Sequence, residues 1–146
     1  MTSDAEALRK VRFFEELTDD DLDRVAKLGQ RRAFVAGETL VERDSDRGGL
    51  FVILSGSAQV EVGGTVHDLV PGDFFGEMAL LGHTRRSASV TATEPVEALV
   101  IDTIYFDPFL IQNPSVAVAI LHGVVERLRE VQDRIDAQDP PDGTGA

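Results

Sequence analysis

The sequence predicts an α+β, mainly β domain: a closed sandwich or jelly-roll barrel held between helices. Three observations predict it. Short β-type runs punctuated by Gly and Pro fill the stretch from Arg31 to Ile101. Helical periodicity stands on either side of that stretch. No crossover helices interrupt the strands, which favours antiparallel closure over a parallel sheet.

In chain order, Thr18 followed by Asp19-Asp20-Asp21 marks an N-cap with acidic groups in the first turn, where they complement the helix dipole. Leu22, Val25, Ala26 and Leu28 recur at helical spacing, and Gly29 suits the stop. Phe13, Phe14 and Leu17 just upstream read as core packing. The β-type runs are Leu40-Val41, Leu50 to Leu54, Ala58 to Val62, Thr65 to Val70, Ala88 to Thr93 and Val96 to Ile101. Ala58, Val60 and Val62 share one strand face and Gln59 and Glu61 the other. Gly63-Gly64 between two runs predicts a tight hairpin, and Gly37, Gly56 and Pro71-Gly72 punctuate at similar intervals. Asn113-Pro114-Ser115 opens a long helix reaching about Ala137, with Pro in the first turn where its missing N–H costs little. Leu121, Val125, Leu128, Gln132 and Ile135 form a heptad-like seam that Val124 and Val131 widen. Asp139 to Ala146 cannot continue the helix and reads as a disordered tail, leaving one domain over residues 1–138.

Composition narrows the function classes. The chain has 146 residues, enough to bury a core, with 26 acidic residues against 14 basic ones and a formal net charge of −12. A phosphate backbone needs clustered cations, so DNA is not an expected partner. No Cys is present, which excludes a disulfide framework and a zinc–thiolate site and fits a reducing compartment. The N-terminus lacks an apolar signal region, and no apolar run is long enough to span a bilayer. A cytoplasmic location without membrane partners is expected. His67, His83 and His122 are scattered without paired spacing, so no metal site and no cupin-type chemistry is expected. With no nucleophile–base pair either, the chain does not read as an enzyme.

The informative segment is Phe75 to Val90. Between Gly48 and Glu126 the two basic residues are Arg85 and Arg86, against nine acidic residues. Gly76 lets backbone approach a ligand closely. Glu77-Met78-Ala79-Leu80-Leu81 favours a helical turn with free N–H groups suited to an anion. Arg86 offers paired, charge-assisted hydrogen bonds to a phosphate, and Ser87 adds donors beside it. Glu77 would repel phosphate, so its natural partner is a hydroxyl of the same ligand. A phosphate and a ribose 2′-OH held side by side describe a nucleotide.

Those residues, Phe75-Gly76-Glu77-Met78-Ala79-Leu80 followed by Arg86-Ser87-Ala88, resemble the phosphate-binding cassette of cyclic-nucleotide-binding domains of the catabolite activator protein and protein kinase A regulatory subunit type. The wider order is also similar to that family: a helix, an eight-stranded β-roll with Gly at the turns, then two helices, covering about Val11 to Ile135. The resemblance implies that Glu77 accepts the ribose 2′-OH and Arg86 pairs with the cyclic phosphate. It also implies that Gly76, Ser87 and Ala88 donate, with Met78 and Ala79 completing the cassette. Arg85 matches no binding position, and His83 falls in the variable loop. The family's long C-terminal helix lids the base, which places Val131 and Gln132 there. Both are departures from the small hydroxyl residues of the catabolite activator, and both also fit as seam residues.

The expected function is a stand-alone regulatory sensor of a cyclic nucleotide; the resemblance implies cyclic AMP over cyclic GMP, because position 87 is Ser where Thr often accompanies cyclic GMP preference in the family. Ligand would reposition the C-terminal helix and signal to a partner protein, with a homodimer formed through the seam. A DNA-binding output is not expected, since only a short Pro-, Gly- and Asp-rich stretch follows the long helix. The alternative is a nucleotide-free interaction domain with a vestigial cassette, its Glu77 and Arg86 closed by a salt bridge.

Overall fold

The computed structural model describes residues 2–138. Two four-stranded antiparallel sheets face each other. One has the order β1 (Gln30–Phe34), β8 (Val96–Asp102), β3 (Gly49–Ser55), β6 (Phe74–Phe75). The other has the order β2 (Thr39–Val41), β7 (Val90–Ala92), β4 (Ala58–Val62), β5 (Thr65–Leu69). This is the jelly-roll-like β-roll the sequence predicts, with helices before and after it.

β3 and β8 form the spine of the molecule. Their near-continuous apolar runs are buried on both faces, which alternation assigns to two different cores. Leu50 and Val52 of β3, with Leu99 and Ile101 of β8, point outward into a helical core. Phe51 and Ile53, with Ala98 and Val100, point into the roll. The roll interior is completed by Ala58, Val90, Ala92 and Val96.

The helical core gathers α1 (Ser3–Leu8), a 3-10 turn (Arg12–Phe14), α2 (Asp19–Ala26), α4 (Thr103–Gln112) and the first half of α5 (Pro114–Gln138). Thr18 caps α2 as expected, its hydroxyl accepting from the Asp21 N–H at 3.1 Å. α1 is an addition to the sequence reading. Thr2 caps it by accepting from the Ala5 N–H at 3.2 Å, and Ala5 and Leu8 are fully buried. Six residues are too few to hold a helix by propensity, so packing on α2 supplies its stability. Phe14 and Phe106 are both buried, their ring centroids 6.2 Å apart, and join the 3-10 turn to α4.

Several boundaries differ from the sequence reading, each for a local reason. α2 ends at Ala26 with Lys27 in right-handed conformation, so Gly29 is not its stop. Instead a Cβ at Gly29 would lie 2.6 Å from Leu99 Cδ1, so glycine there permits the chain to cross β8 closely. The run Ala88 to Thr93 is strand only over Val90–Ala92, because Ser87 and Ala88 lie in a bend. The Gly63-Gly64 hairpin is present, with φ of 58° and 79°, the mirror-image turn that matches strand twist. Val62, at that hairpin end, is 53% exposed, so its face is inward only toward Ala58.

α5 begins at Pro114, after the chain turns through 111° at Asn113. It carries two apolar stripes. Val116 and Ile120 are buried in the helical core, and Val124 packs there too rather than widening the seam. Leu121, Val125, Leu128, Val131 and Ile135 face away from the domain and are 38–63% exposed. The predicted tail, 139–146, lies outside the described residues.

The Phe14–Phe106 contact joins the helices that precede the roll in the chain to those that follow it. Phe106→Ala is expected to cost about 3–5 kcal/mol, read as a lower urea midpoint with an unchanged slope. A loss under about 1 kcal/mol would mean that α4 is held elsewhere.

Candidate functional site

β6 pairs with β3, Phe75 opposite Phe51, and the two rings stack with centroids 4.9 Å apart and planes at 13°. This places Gly76 directly over the spine. Gly76 has φ +91° and caps α3 (Glu77–Gly82). A side chain there is excluded twice, by the left-handed backbone and because a Cβ would collide with the Gly49 carbonyl and Arg86 Nη1. α3 is anchored by buried Ala79 and Leu80, which leaves Glu77 half-buried at its start and Met78 61% exposed. His83 ends the helix in left-handed conformation, φ 53°, and its Nε2 lies 2.7 Å from Asp107 Oδ2 of α4. His83 is exposed, at the helix cap rather than free in a loop.

The chain then returns under the loop that follows β2. The Arg86 N–H donates to the Ser45 carbonyl, and the Asp44 N–H donates to the Arg86 carbonyl, both at 2.9 Å. The Arg43 N–H donates to Ser89 Oγ at 2.8 Å. With its backbone clamped on both sides, Arg86 turns its side chain into the roll, where it is 6% exposed. Its guanidinium carbon sits 5.6 Å from the Phe51 ring centroid, a cation–π contact that supplies part of the lost hydration.

The rest is not supplied. Among the described residues, Arg86 Nε and Nη1 have no hydrogen-bond partner, and no carboxylate forms an ion pair with the guanidinium. The salt bridge expected of a vestigial cassette, between Glu77 and Arg86, is absent. Burial lowers the Arg86 pKa, and the charges of Asp102 and then Glu77 pull it back up. A desolvated cation with unused donors is an anion-binding group in waiting.

A cleft of about 470 Å³ opens beside it, in the size range of small-molecule sites. Gly76, Glu77, Met78, Ala79, Arg86, Ser87 and Ala88 all line it, seven of the nine residues singled out in the sequence. Val41, Val60 and Val90 add an apolar wall with Phe74 and Phe75, which the sequence reading left out. The inward alternation of β4 carries that signal for Val60. Arg85 also lines the cleft while its Nη1 donates to the Asp44 carbonyl at 3.1 Å. Val131 and Gln132 do not line it. They lie exposed on α5, and Gln132 Nε2 donates to Asp136 Oδ1 at 3.0 Å. Among the described residues, no three His, Cys, Asp or Glu side chains gather as metal ligands.

Comparison with known proteins meets the same segment. The cyclic nucleotide-binding domain family matches residues 31–113, more than half of the chain. The chain belongs to the cyclic nucleotide-binding domain family. It is 30% identical over 130 residues to the cyclic AMP receptor protein of Thermus thermophilus, covering 85% of this chain and 60% of that one. It is 36% identical over 88 residues to a cGMP-dependent protein kinase of Toxoplasma gondii, covering 60% of this chain and 9% of the kinase. The chain therefore spans less than two thirds of the length of these curated relatives. Among solved structures, the N-terminal domain of a transcriptional regulator from Streptomyces coelicolor A3(2) superposes with a TM-score of 0.75 at 28% identity. That match covers 87% of this chain and 95% of the other.

The geometry makes Arg86 a liability to the unliganded fold. Arg86→Met keeps the volume and removes two unpartnered donors. It is expected to raise the unfolding free energy by about 1 kcal/mol, the gain outweighing the lost contact with Phe51. Urea unfolding checks this, and a lowered midpoint would mean the guanidinium stabilises the empty site.

Proposed function

We propose that the cleft binds a cyclic nucleotide and that the domain is a regulatory sensor rather than a catalyst. The observation that carries this reading is Arg86, buried and unpartnered at the foot of a ligand-sized cleft. A cyclic phosphate would take its free N–H groups. Glu77, at the start of α3 across the same cleft, would accept from the ribose 2′-OH. Gly76, Ser87 and Ala88 would donate to the phosphate from backbone or side chain, with Met78 and Ala79 completing the wall. Cyclic AMP is favoured over cyclic GMP on Ser87, since the family resemblance associates Thr at that position with cyclic GMP.

The signal would leave through α5. Its first half is held in the helical core, while its second half exposes an apolar stripe and leaves Val131 and Gln132 free to reach the base as a lid. Ligand would favour one arrangement of that half by its differential affinity. The same stripe would pair two copies as a parallel homodimer and present the change to a partner protein.

Calorimetric titration with cyclic AMP and cyclic GMP, after unfolding and refolding to strip carried-over nucleotide, tests the reading. Both nucleotides are expected to bind, cyclic AMP more tightly. Arg86→Ala should abolish binding, and Glu77→Gln should weaken it by about 10-fold or more. No heat with either nucleotide in a correctly refolded protein would make the cassette vestigial and the domain an interaction module. Light scattering is expected to give a dimer that Leu128→Glu dissociates. A monomer with and without ligand would reject pairing through α5.

A further inference from the structure

The charge that faces Arg86 from the far side is placed by the spine. β3 and β8 run antiparallel with Gly49 opposite Asp102. A Cβ on Gly49 would lie 3.6 Å from Arg86 Nη2 and 3.7 Å from the Asp102 Cα. The gap beside Gly49 is thus bordered by the guanidinium on one side and by the Asp102 backbone on the other. Both residues line a second cleft of about 240 Å³, with Glu42, Arg32 and Arg47 at its walls. Arg86 lines both clefts and stands between them.

Asp102 has a second task. Its Oδ1 accepts from the Ile104 N–H at 3.0 Å and caps α4. The next residue, Thr103, buries a hydroxyl that has no partner among the described residues, against Gly48. Arg86 Nε and Nη1 and Thr103 Oγ1 are the buried side-chain polar atoms without partners among the described residues.

We propose that Asp102 is a positioning residue for Arg86: it supplies the counter-charge of the empty cassette, competes with an incoming phosphate, and passes that exchange to the N-cap of α4. Two anions share one cation across the gap. When the phosphate takes the guanidinium, the Asp102 carboxylate loses its counter-charge and leans further on the α4 N-terminus. Asp102 also acts on the guanidinium more strongly than Glu77 does, although Glu77 lies in the cassette. The competition and relay rest on Arg86 as the phosphate ligand; the counter-charge does not.

Asp102→Asn separates these roles, because Asn keeps the capping oxygen and removes the charge. In the unliganded protein, urea unfolding of wild type, D102N, R86M and the double variant forms a cycle. D102N is expected to lower the midpoint in the Arg86 protein and to leave it unchanged or higher in the R86M background. Additive shifts would overturn the counter-charge whether or not any nucleotide binds. In titration, D102N is expected to bind cyclic AMP about fivefold more tightly than wild type, or more. Equal or weaker binding would overturn the competition. The Ile104 amide resonance is expected to move on cyclic AMP addition in wild type and to stay in D102N; equal movement in both would overturn the relay. Should D102N not fold, Asp102→Ser keeps a capping oxygen and serves the same cycle. Failure of wild type to bind either nucleotide rejects the proposed function, and the stability cycle still decides the counter-charge.

Discussion

Burying a guanidinium without giving it a partner is the constraint around which this domain is organised. Transfer of a charged group from water is costly unless its hydrogen bonds are replaced. Here only the Phe51 ring and the more distant charges of Asp102 and Glu77 offset the cost. The surroundings hold Arg86 in place regardless. Its backbone is clamped by the loop after β2, and its head lies against Gly76, whose missing side chain makes the room, with Gly49 in contact beside it. Such an arrangement persists because the roll is stable for other reasons. β3 and β8 are buried on both faces, so the strands beneath Arg86 belong to two cores at once.

That same double burial explains why events in the cassette bear on helices far from it in sequence. α3 rests on the helical core through Leu80 and touches α4 through His83 and Asp107. α4 continues from β8 without a loop, since Asp102 is both the last strand residue and the helix cap. Phe106 then meets Phe14, and the 3-10 turn that carries Phe14 packs against α5. The path is a chain of packed elements, and at the turn into α5 the Asn113 side chain donates to the Phe109 carbonyl at 2.9 Å. Physical contiguity of this kind gives a change at the cassette a direct route to the first turn of α4.

The cassette was legible in the sequence because its chemistry is local. Gly76, Glu77, Arg86, Ser87 and Ala88 lie within thirteen positions, and residue types alone describe an anion beside a hydroxyl. The β-roll was legible because period-two runs alternate with Gly and Pro. What escaped was either too short or too exposed to carry a period. β6 is two residues long, and β1 is exposed along most of its length, held by pairing with β8 rather than by an apolar face. α1 is likewise set by packing. Asp102 could not have been found at all, since its relation to Arg86 depends on the β3–β8 register and on a glycine between them. Val124 and Val125 both fit a heptad, so the sequence places Val124 on the seam; only the direction from which the 3-10 turn approaches α5 puts it in the helical core.

The strongly negative composition takes on a more specific meaning once Arg86 is placed. A net charge of −12 repels anions of every size, but that repulsion acts through solvent and is screened within about 8 Å at physiological ionic strength. The attraction of Arg86 acts inside the roll, where screening is weak and its unused donors are directed. A polyanion would bring many phosphates under the surface field and place at most one near the guanidinium. A small monoanion meets the surface field once and then the buried cation at full strength. The cleft, about 470 Å³ and backed by Val41, Val60 and Phe75, adds a size limit to this filter. A negative surface and a single desolvated arginine beneath it therefore favour a small phosphate ester with an apolar body over phosphate in general.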